Sequence, residues 1–194
     1  MPSAHHDQVI LVAFGGNEPF EELPPAKLVM EALGQLDAAG LRVEARSRLY
    51  RTPAFPAGAG PDYVNGAARL SAPPGLTPAE MLESLHRVEA AFGRRRDRRW
   101  GARTLDLDLI AVDSLVLPDA AGQSFWRDLP PEAQGRLAPD QLILPHPRLQ
   151  DRAFVLVPLA DVASEWCHPL LGRTVRQMLA SLPAADREAV VPLE

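Results

Sequence analysis

Two aspartates that follow a run of arginines are the residues of this sequence best placed to do chemistry. Asp106 and Asp108 come directly after a segment that carries arginine at positions 94, 95, 96, 98, 99 and 103. On a strand, residues two apart project from the same face with side chains about 7 Å apart. Magnesium binds one or two such carboxylates and completes its shell with water and phosphate oxygens. The segment therefore predicts a magnesium-triphosphate site, with the arginines forked onto the phosphates.

Other functions are compatible with parts of this motif. A solvated arginine loop and an exposed strand edge would explain each half of it separately. A sheet with a local arginine cluster and aromatics can also bind RNA, although the net charge of −5 provides no overall basic surface. A two-metal nuclease or nucleotidyltransferase site is the third alternative. It requires further carboxylates, for which Glu89, just before the motif, is the only candidate.

Composition and motif spacing argue against several classes of protein. The five histidines show no metal-ligand spacing and the chain has no P-loop, so zinc chemistry and Walker-type hydrolysis are not predicted. Cys167 is the only cysteine, which excludes an internal disulfide framework and indicates a packing role. Neither a membrane-length apolar run nor a signal-peptide pattern is present, so we expect a cytoplasmic protein.

The elements that must position these residues form one predicted domain over residues 1–194. Hydrophobic periodicity predicts strands over 9–14, 41–50, 63–70 and 104–112, and helices over 26–36 and from the N-cap Thr77 to Ala91. Their order is βαββαβ, which is typical of an α+β, ferredoxin-like antiparallel sheet with helices packed on one face. A strand over 153–159 and a short final helix over 175–182 are predicted as C-terminal additions. Residues 118–141 predict an irregular insertion.

The segment from Gly93 to Asp108 resembles the signature of the 6-hydroxymethyl-7,8-dihydropterin pyrophosphokinases, a pattern of the form GR.R...RWG.RT.DLD. Further motifs of this family follow in the same order along roughly residues 9–160. They are the turn Gly15-Gly16-Asn17, YRTP at 50–53 with PDYVN at 61–65, and LPHPR at 144–148 with DRAF at 151–154. Four separated motifs in order are far more specific than any one of them.

The resemblance implies a ferredoxin-like fold and a reaction in folate biosynthesis. Pyrophosphate would move from ATP to 6-hydroxymethyl-7,8-dihydropterin, giving the pterin diphosphate and AMP, with two Mg²⁺ ions bridging ATP. The implied partners are these two small molecules, without nucleic acid or membrane, and the protein is expected to be a monomer. Three positions depart from the family pattern: Gly16 replaces a serine, Asp97 occupies an often basic position, and Ala102 replaces a proline.

The resemblance also assigns roles to individual residues. The metal ligands are Asp106 and Asp108, and the catalytic set adds Arg94 and Arg103. The ATP side comprises Glu89, Arg94, Arg96, Arg99, Leu109, His146 and Arg152. The pterin side comprises Thr52, Pro53, Phe55, Tyr63, Asn65, Trp100 and Phe154. Trp100 and Phe154 could sandwich the flat pterin, with core packing as their alternative role, while Asn65 offers a donor and an acceptor to its amide edge.

Overall fold

An antiparallel sheet covered by helices on both faces forms the centre of the molecule. The computed structural model describes residues 8–54, 60–94, 104–134 and 136–193. The strands are β1 (Ile10–Gly16), β2 (Arg42–Arg46), β3 (Tyr50–Thr52), β4 (Tyr63–Ser71), β5 (Asp106–Val112), β6 (Cys167–His168), β7 (Arg173–Thr174) and β8 (Val191–Pro192). The helices are α1 (Pro25–Ala38), α2 (Pro78–Ala91), α3 (Ala120–Arg127), α4 (Pro131–Gln134), α5 (Ala153–Ala163), α6 (Val175–Ser181) and α7 (Ala184–Glu188). A 3-10 helix, Leu149–Asp151, precedes α5.

The larger sheet has the strand order β5-β1-β4-β3-β8, and β2 also pairs with β4. All of these pairs are antiparallel. Every residue of β1 is buried, because the strand has a neighbour on each side and helices on each face. The predicted strands at 9–14, 63–70 and 104–112 are confirmed as β1, β4 and β5.

The helices α1 and α2 cover one face of the sheet. Ile10, Val12 and Phe14 of β1 contribute to the hydrophobic core with these two helices. The start of α2 is fixed by a capping box, in which the Thr77 hydroxyl accepts from the Glu80 N–H and the Glu80 carboxylate accepts from the Thr77 N–H. Such caps stabilise a helix by about 1 kcal/mol. Both helices and the predicted N-cap are confirmed.

The opposite face of the sheet is covered by α5 and α6. Leu11 and Ala13 of β1 pack there with apolar residues of both helices. The predicted strand over 153–159 is therefore wrong, since these residues begin α5. The run Ala-Phe-Val-Leu-Val-Pro-Leu is apolar throughout, and a buried helix and a buried strand cannot be distinguished by periodicity in such a run. Helices consequently lie on both faces rather than on one.

The predicted strand over 41–50 is two strands, β2 and β3, separated at Ser47. The Ser47 hydroxyl accepts a hydrogen bond from the Ala67 N–H at 2.9 Å, and the Ser47 N–H donates to the Ala67 carbonyl at 2.8 Å. Both backbone groups of Ala67 in β4 are thus bonded to one residue, Ser47. β3 continues along β4 with Tyr50 opposite Asn65.

The insertion and the C-terminal region contain more regular structure than predicted. Residues 118–141 include α3 and α4, so the insertion is not wholly irregular. The predicted final helix is confirmed as α6, but α7 and β8 follow it. Cys167 is exposed, so the packing role predicted for it is wrong. Within the residues described, no helix is long and apolar enough to span a membrane.

Candidate active site

Three strands bring the predicted metal ligands Asp106 and Asp108 and the predicted pterin residue Asn65 onto one face of the sheet. Gly15 at the end of β1 lies opposite Asp106 of β5 on one side and opposite Asn65 of β4 on the other. Residues directly opposite each other in antiparallel strands project from the same face. The row from Asp106 through Gly15 to Asn65 therefore faces α5, the side away from α1 and α2.

Asp106 and Asp108 alternate with buried Leu107 and are themselves half-buried. Their shared face is confirmed by the register, because Asp108 lies opposite Ala13 of the α5-side core. Among the residues described, no cluster of three or more His, Cys, Asp or Glu side chains forms a metal cage. A pair of carboxylates fits Mg²⁺, which keeps water or phosphate oxygens in its shell, better than it fits zinc, which takes nitrogen and sulfur ligands.

Arg94 and Glu89 lie beside Asp106. Arg94 forms ion pairs with Glu89 and, at 2.6 Å, with Asp106. Glu89 is 1% exposed, and its Oε1 accepts a hydrogen bond from the Leu107 N–H at 2.7 Å. Glu89 thus joins the end of α2 to the start of β5. Its buried position was not predicted, because that depends on how α2 packs against β5 rather than on the motif.

His146 lies on a turn attached to the edge of β5. Its backbone N–H donates to the Ile110 carbonyl at 2.8 Å, and its ring Nδ1 accepts from the backbone N–H of Arg148 at 3.1 Å. Burial, together with the nearby charges of Arg152 and Arg148, lowers the pKa of His146 to about 3. The imidazole is therefore neutral at pH 7. With Nδ1 accepting, Nε2 carries the proton and is the donor.

Arg152 and Phe154 lie at the beginning of α5, which covers the same face of the sheet. The Arg152 guanidinium lies over the Phe154 ring at 5.5 Å from its centroid. Phe154 is 40% exposed, so core packing does not account for this aromatic ring. An exposed aromatic ring with an arginine above it provides a surface on which a flat heterocycle can stack.

Thr52 and Asn65 form the buried centre of the predicted pterin side. The Asn65 amide donates to the Thr52 hydroxyl at 2.7 Å, and both side chains are buried. A Cβ at Gly15 would lie 2.4 Å from Asn65 Oδ1, so only glycine fits at this point. Tyr63 is half-buried next to them, and Pro53 is exposed.

Asn17 connects the end of β1 to the segment just before β4. Its Nδ2 donates to the Pro61 carbonyl at 3.1 Å, and the residue is 5% exposed. No role was predicted for this side chain. The signal in the sequence was an asparagine directly after two glycines. If the turn buries this amide, other groups must bond to it, which would have indicated a structural role.

Leu109 is separated from the other predicted site residues. Its side chain is 3% exposed and belongs to the core with α1 and α2, on the face opposite Asp106. Its contact with the adenine stays a prediction. Phe55, Arg96, Arg99, Trp100 and Arg103 lie outside the described residues, as do Asp97 and Ala102.

The fold and site define a class of small α+β proteins in which an antiparallel sheet presents two carboxylates and an arginine beside a buried amide. The family model described as 7,8-dihydro-6-hydroxymethylpterin-pyrophosphokinase (HPPK) matches residues 11–164. The chain belongs to this family.

Curated relatives carry the name 2-amino-4-hydroxy-6-hydroxymethyldihydropteridine pyrophosphokinase. The protein from Synechocystis is 39% identical over 155 residues, covering 80% of this chain and 66% of the relative. The Pseudomonas aeruginosa protein is 36% identical over 178 residues, covering 91% of this chain and 93% of the relative. The chain thus spans just under two thirds of the Synechocystis protein and nearly all of the Pseudomonas one.

Solved structures with a similar fold include a Plasmodium falciparum HPPK-DHPS chain, with a TM-score of 0.61 at 13% identity. The match covers 91% of this chain and 46% of that one. This similarity supports the fold alone.

Proposed function

We propose that this protein transfers a pyrophosphoryl group from ATP to 6-hydroxymethyl-7,8-dihydropterin, releasing AMP, as a step of folate biosynthesis. The observation that carries the proposal is the row of Asp106, Gly15 and Asn65 across three neighbouring strands. The carboxylate proposed to bind the metal and the amide proposed to bind the pterin thus share one face of the sheet, with Gly15 between them. Two substrates bound on either side of Gly15 would meet above β1.

Asp106 and Asp108 would hold Mg²⁺, with two ions expected alongside ATP. The ions would neutralise phosphate charge and fix the triphosphate. Arg94 forms ion pairs with Glu89 and Asp106. It is therefore close enough to the proposed metal ligand Asp106 to contribute to phosphate binding. Arg96, Arg99 and Arg103 are proposed to do the same.

The pterin side would bind and orient the acceptor. Asn65 and Thr52 supply the polar edge, Tyr63 and Pro53 lie beside it, and Phe154 provides a stacking surface; Phe55 and Trp100 are proposed to complete the pocket. In the reaction, the hydroxymethyl oxygen of the pterin bonds to the β-phosphorus of ATP. The bond from that phosphorus to the AMP oxygen breaks, and the hydroxyl proton is lost to a base. Catalysis then comes from alignment and charge neutralisation, without a covalent enzyme intermediate.

The sheet is also proposed to be ferredoxin-like. In this interpretation β2 and β3 together form the second strand of the βαββαβ unit. The strand order β5-β1-β4 followed by β2 and β3 supports it. The helices α5 and α6 would then be additions that cover the substrate face.

The proposal is tested by incubating the protein with ATP, Mg²⁺ and 6-hydroxymethyl-7,8-dihydropterin and resolving the nucleotides. We expect AMP to form only when both the pterin and Mg²⁺ are present. Formation of ADP would indicate an ordinary kinase instead. If the folded protein consumed no ATP, the proposal would be wrong, and binding to single-stranded RNA would be the next measurement.

A further inference from the structure

Gln123 of the insertion is completely buried and bonded to the turn that carries His146. It is 0% exposed, and of the residues of α3 it is the one that is buried. Its Nε2 donates to the Pro145 carbonyl at 3.1 Å, and its Oε1 accepts from Arg127 at 3.2 Å. Burying a primary amide is costly unless both of its ends are paired. Here both ends are paired, and one partner is the residue before His146.

The turn is attached at two other points that fix the backbone on either side of Pro145. Leu144 exchanges two hydrogen bonds with Leu117, at 2.9 and 3.2 Å, which also closes the base of the insertion. His146 donates to Ile110 of β5, two residues from Asp108 on the same strand. Between these points, the Pro145 carbonyl is held by the Gln123 amide.

We propose that Gln123 is a positioning residue, through which α3 fixes the turn so that the His146 ring keeps its orientation beside the Asp108 strand for nucleotide binding. The insertion then stabilises the ATP side of the proposed site. This inference rests on the proposed function, because it assigns His146 to ATP. The hydrogen bonds of Gln123 join it to Pro145 and Arg127, so it would act through the turn.

The test replaces Gln123 by methionine, which preserves its length and removes both hydrogen bonds. Gln134→Met is the matched control: Gln134 lies in the same insertion and donates a comparable bond, at 2.6 Å, to the Leu129 carbonyl, away from the turn. Steady-state kinetics are measured with each substrate varied in turn. We expect Gln123→Met to raise the KM for ATP by about 2- to 10-fold, the effect of one lost neutral hydrogen bond. The KM for the pterin should not change, and the control should match the wild type.

A double-mutant cycle distinguishes positioning from general loosening of the fold. If Gln123 acts through His146, adding Gln123→Met to His146→Ala should produce no further rise in the KM for ATP. A full additional rise would overturn the proposal. Equal KM values for Gln123→Met and Gln134→Met would overturn it as well.

Two further measurements separate this inference from folding defects and from the proposed function. If Gln123→Met does not fold, Arg127→Met removes the bond to Gln123 Oε1 and the ion pair with Asp128 but leaves the bond from Gln123 to Pro145. It should give a smaller rise in the same KM. If the wild type forms no AMP, the proposed function is wrong. The dissociation constants of ATP for the wild type and Gln123→Met, measured by calorimetry, then decide whether Gln123 contributes to nucleotide binding, and equal constants would reject it.

Discussion

Gly15 lies between the proposed metal side and the proposed pterin side of the candidate site, at a position where a side chain would not fit. It lies opposite both Asp106 and Asn65, and the space that a Cβ would need is taken by Asn65 Oδ1 at 2.4 Å and by the Val64 carbonyl at 3.0 Å. A backbone carbonyl cannot rotate away as a flexible side chain can. Any larger residue must therefore displace Asn65 or β4.

Gly15→Ala should accordingly destabilise the protein and weaken pterin binding more than ATP binding. Gly34→Ala is the matched control, because Gly34 lies within α1 and nothing lies within 4 Å of its added Cβ. The control should stabilise the protein by about 0.5–1 kcal/mol through helix propensity. Urea unfolding and pterin titration provide the measurements. Stabilisation by both substitutions would show that Asn65 moves aside freely.

Asp108 is the residue on which the metal assignment can be tested most directly. Asp108→Asn keeps the size of the side chain but removes the charge, so AMP formation should fall at least about 100-fold, as for removal of a group that acts on transition-state charge. The melting temperature should stay close to that of the wild type, since Asp108 is only half-buried. Asp140→Asn, an exposed aspartate of the insertion, is the control. Undiminished turnover in Asp108→Asn would reject the metal site.

At the scale of elements, the carboxylate of Glu89 links the end of α2 to the start of β5. Glu89 accepts from the Leu107 N–H and pairs with Arg94. Glu89→Leu leaves both groups without this acceptor and should reduce the free energy of unfolding by about 3 kcal/mol, as for one broken buried pair. Glu89→Gln still accepts from Leu107 and should lose clearly less. Chemical denaturation of the two variants is the measurement, and equal losses would contradict the backbone role of Glu89.

The stability contributed by Asp161, which connects α5 to Arg48 and to Tyr50 of β3, should depend on pH. Burial alone would raise the pKa of Asp161, but hydrogen bonds from Arg48 and Tyr50 hold it below its ordinary value of 3.8. A carboxylate with a lowered folded-state pKa stabilises the protein above its unfolded pKa and loses that effect as pH falls through the folded value. Asp161→Asn should therefore be less stable than the wild type at pH 7, and the difference should shrink below about pH 4. Unfolding curves of both proteins at pH 7 and below about pH 4 test this. If the difference in stability persisted in acid, the charge of Asp161 would not be its cause.

The elements predicted best were those whose period was clear. β1, α1, β4, α2 and β5 followed from apolar spacing and, for α2, from the Thr77 cap. α5 was missed because an apolar run has no period to read. The break between β2 and β3 depends on Ser47 reaching Ala67, a contact between strands far apart in sequence.

The candidate site could be predicted from the sequence to a similar extent. The shared face of Asp106 and Asp108 follows from a strand period of two. The roles of Glu89 and Gln123 do not, because their partners Leu107 and Pro145 are defined only once helices pack on the sheet.

At the scale of the whole molecule, segments from later in the chain bond to β5 and to β3 of the sheet. The turn at His146 bonds to β5, and β8 pairs with β3, where Val191 lies opposite Arg51 and Pro192 opposite Tyr50. Val190, just before β8, is 7% exposed and packs with Tyr50. Proline cannot donate to another strand, so Pro192 is suited to the edge of a sheet.

Deletion of residues 190–194 should destabilise the protein by about 2–4 kcal/mol, through the loss of one buried valine and of strand pairing. The truncated protein should also associate as its concentration rises, because β3 becomes an open edge. Val190→Ala is the control, since it removes packing but retains the strand. Unfolding and light scattering over a concentration series provide the measurements. A truncated protein that scatters like the control would show that β8 does not protect the edge.

The pairing of β3 with β8 also has a consequence for the growing chain. Synthesis proceeds from the N-terminus, so β3 and β4 leave the ribosome long before β8. Until β8 arrives, the strand that carries Thr52 exposes unpaired backbone groups. The nascent protein therefore passes through a stage in which the open edge of β3 can pair with other chains. It should be most prone to misassembly at this stage when many partly synthesised copies are close together.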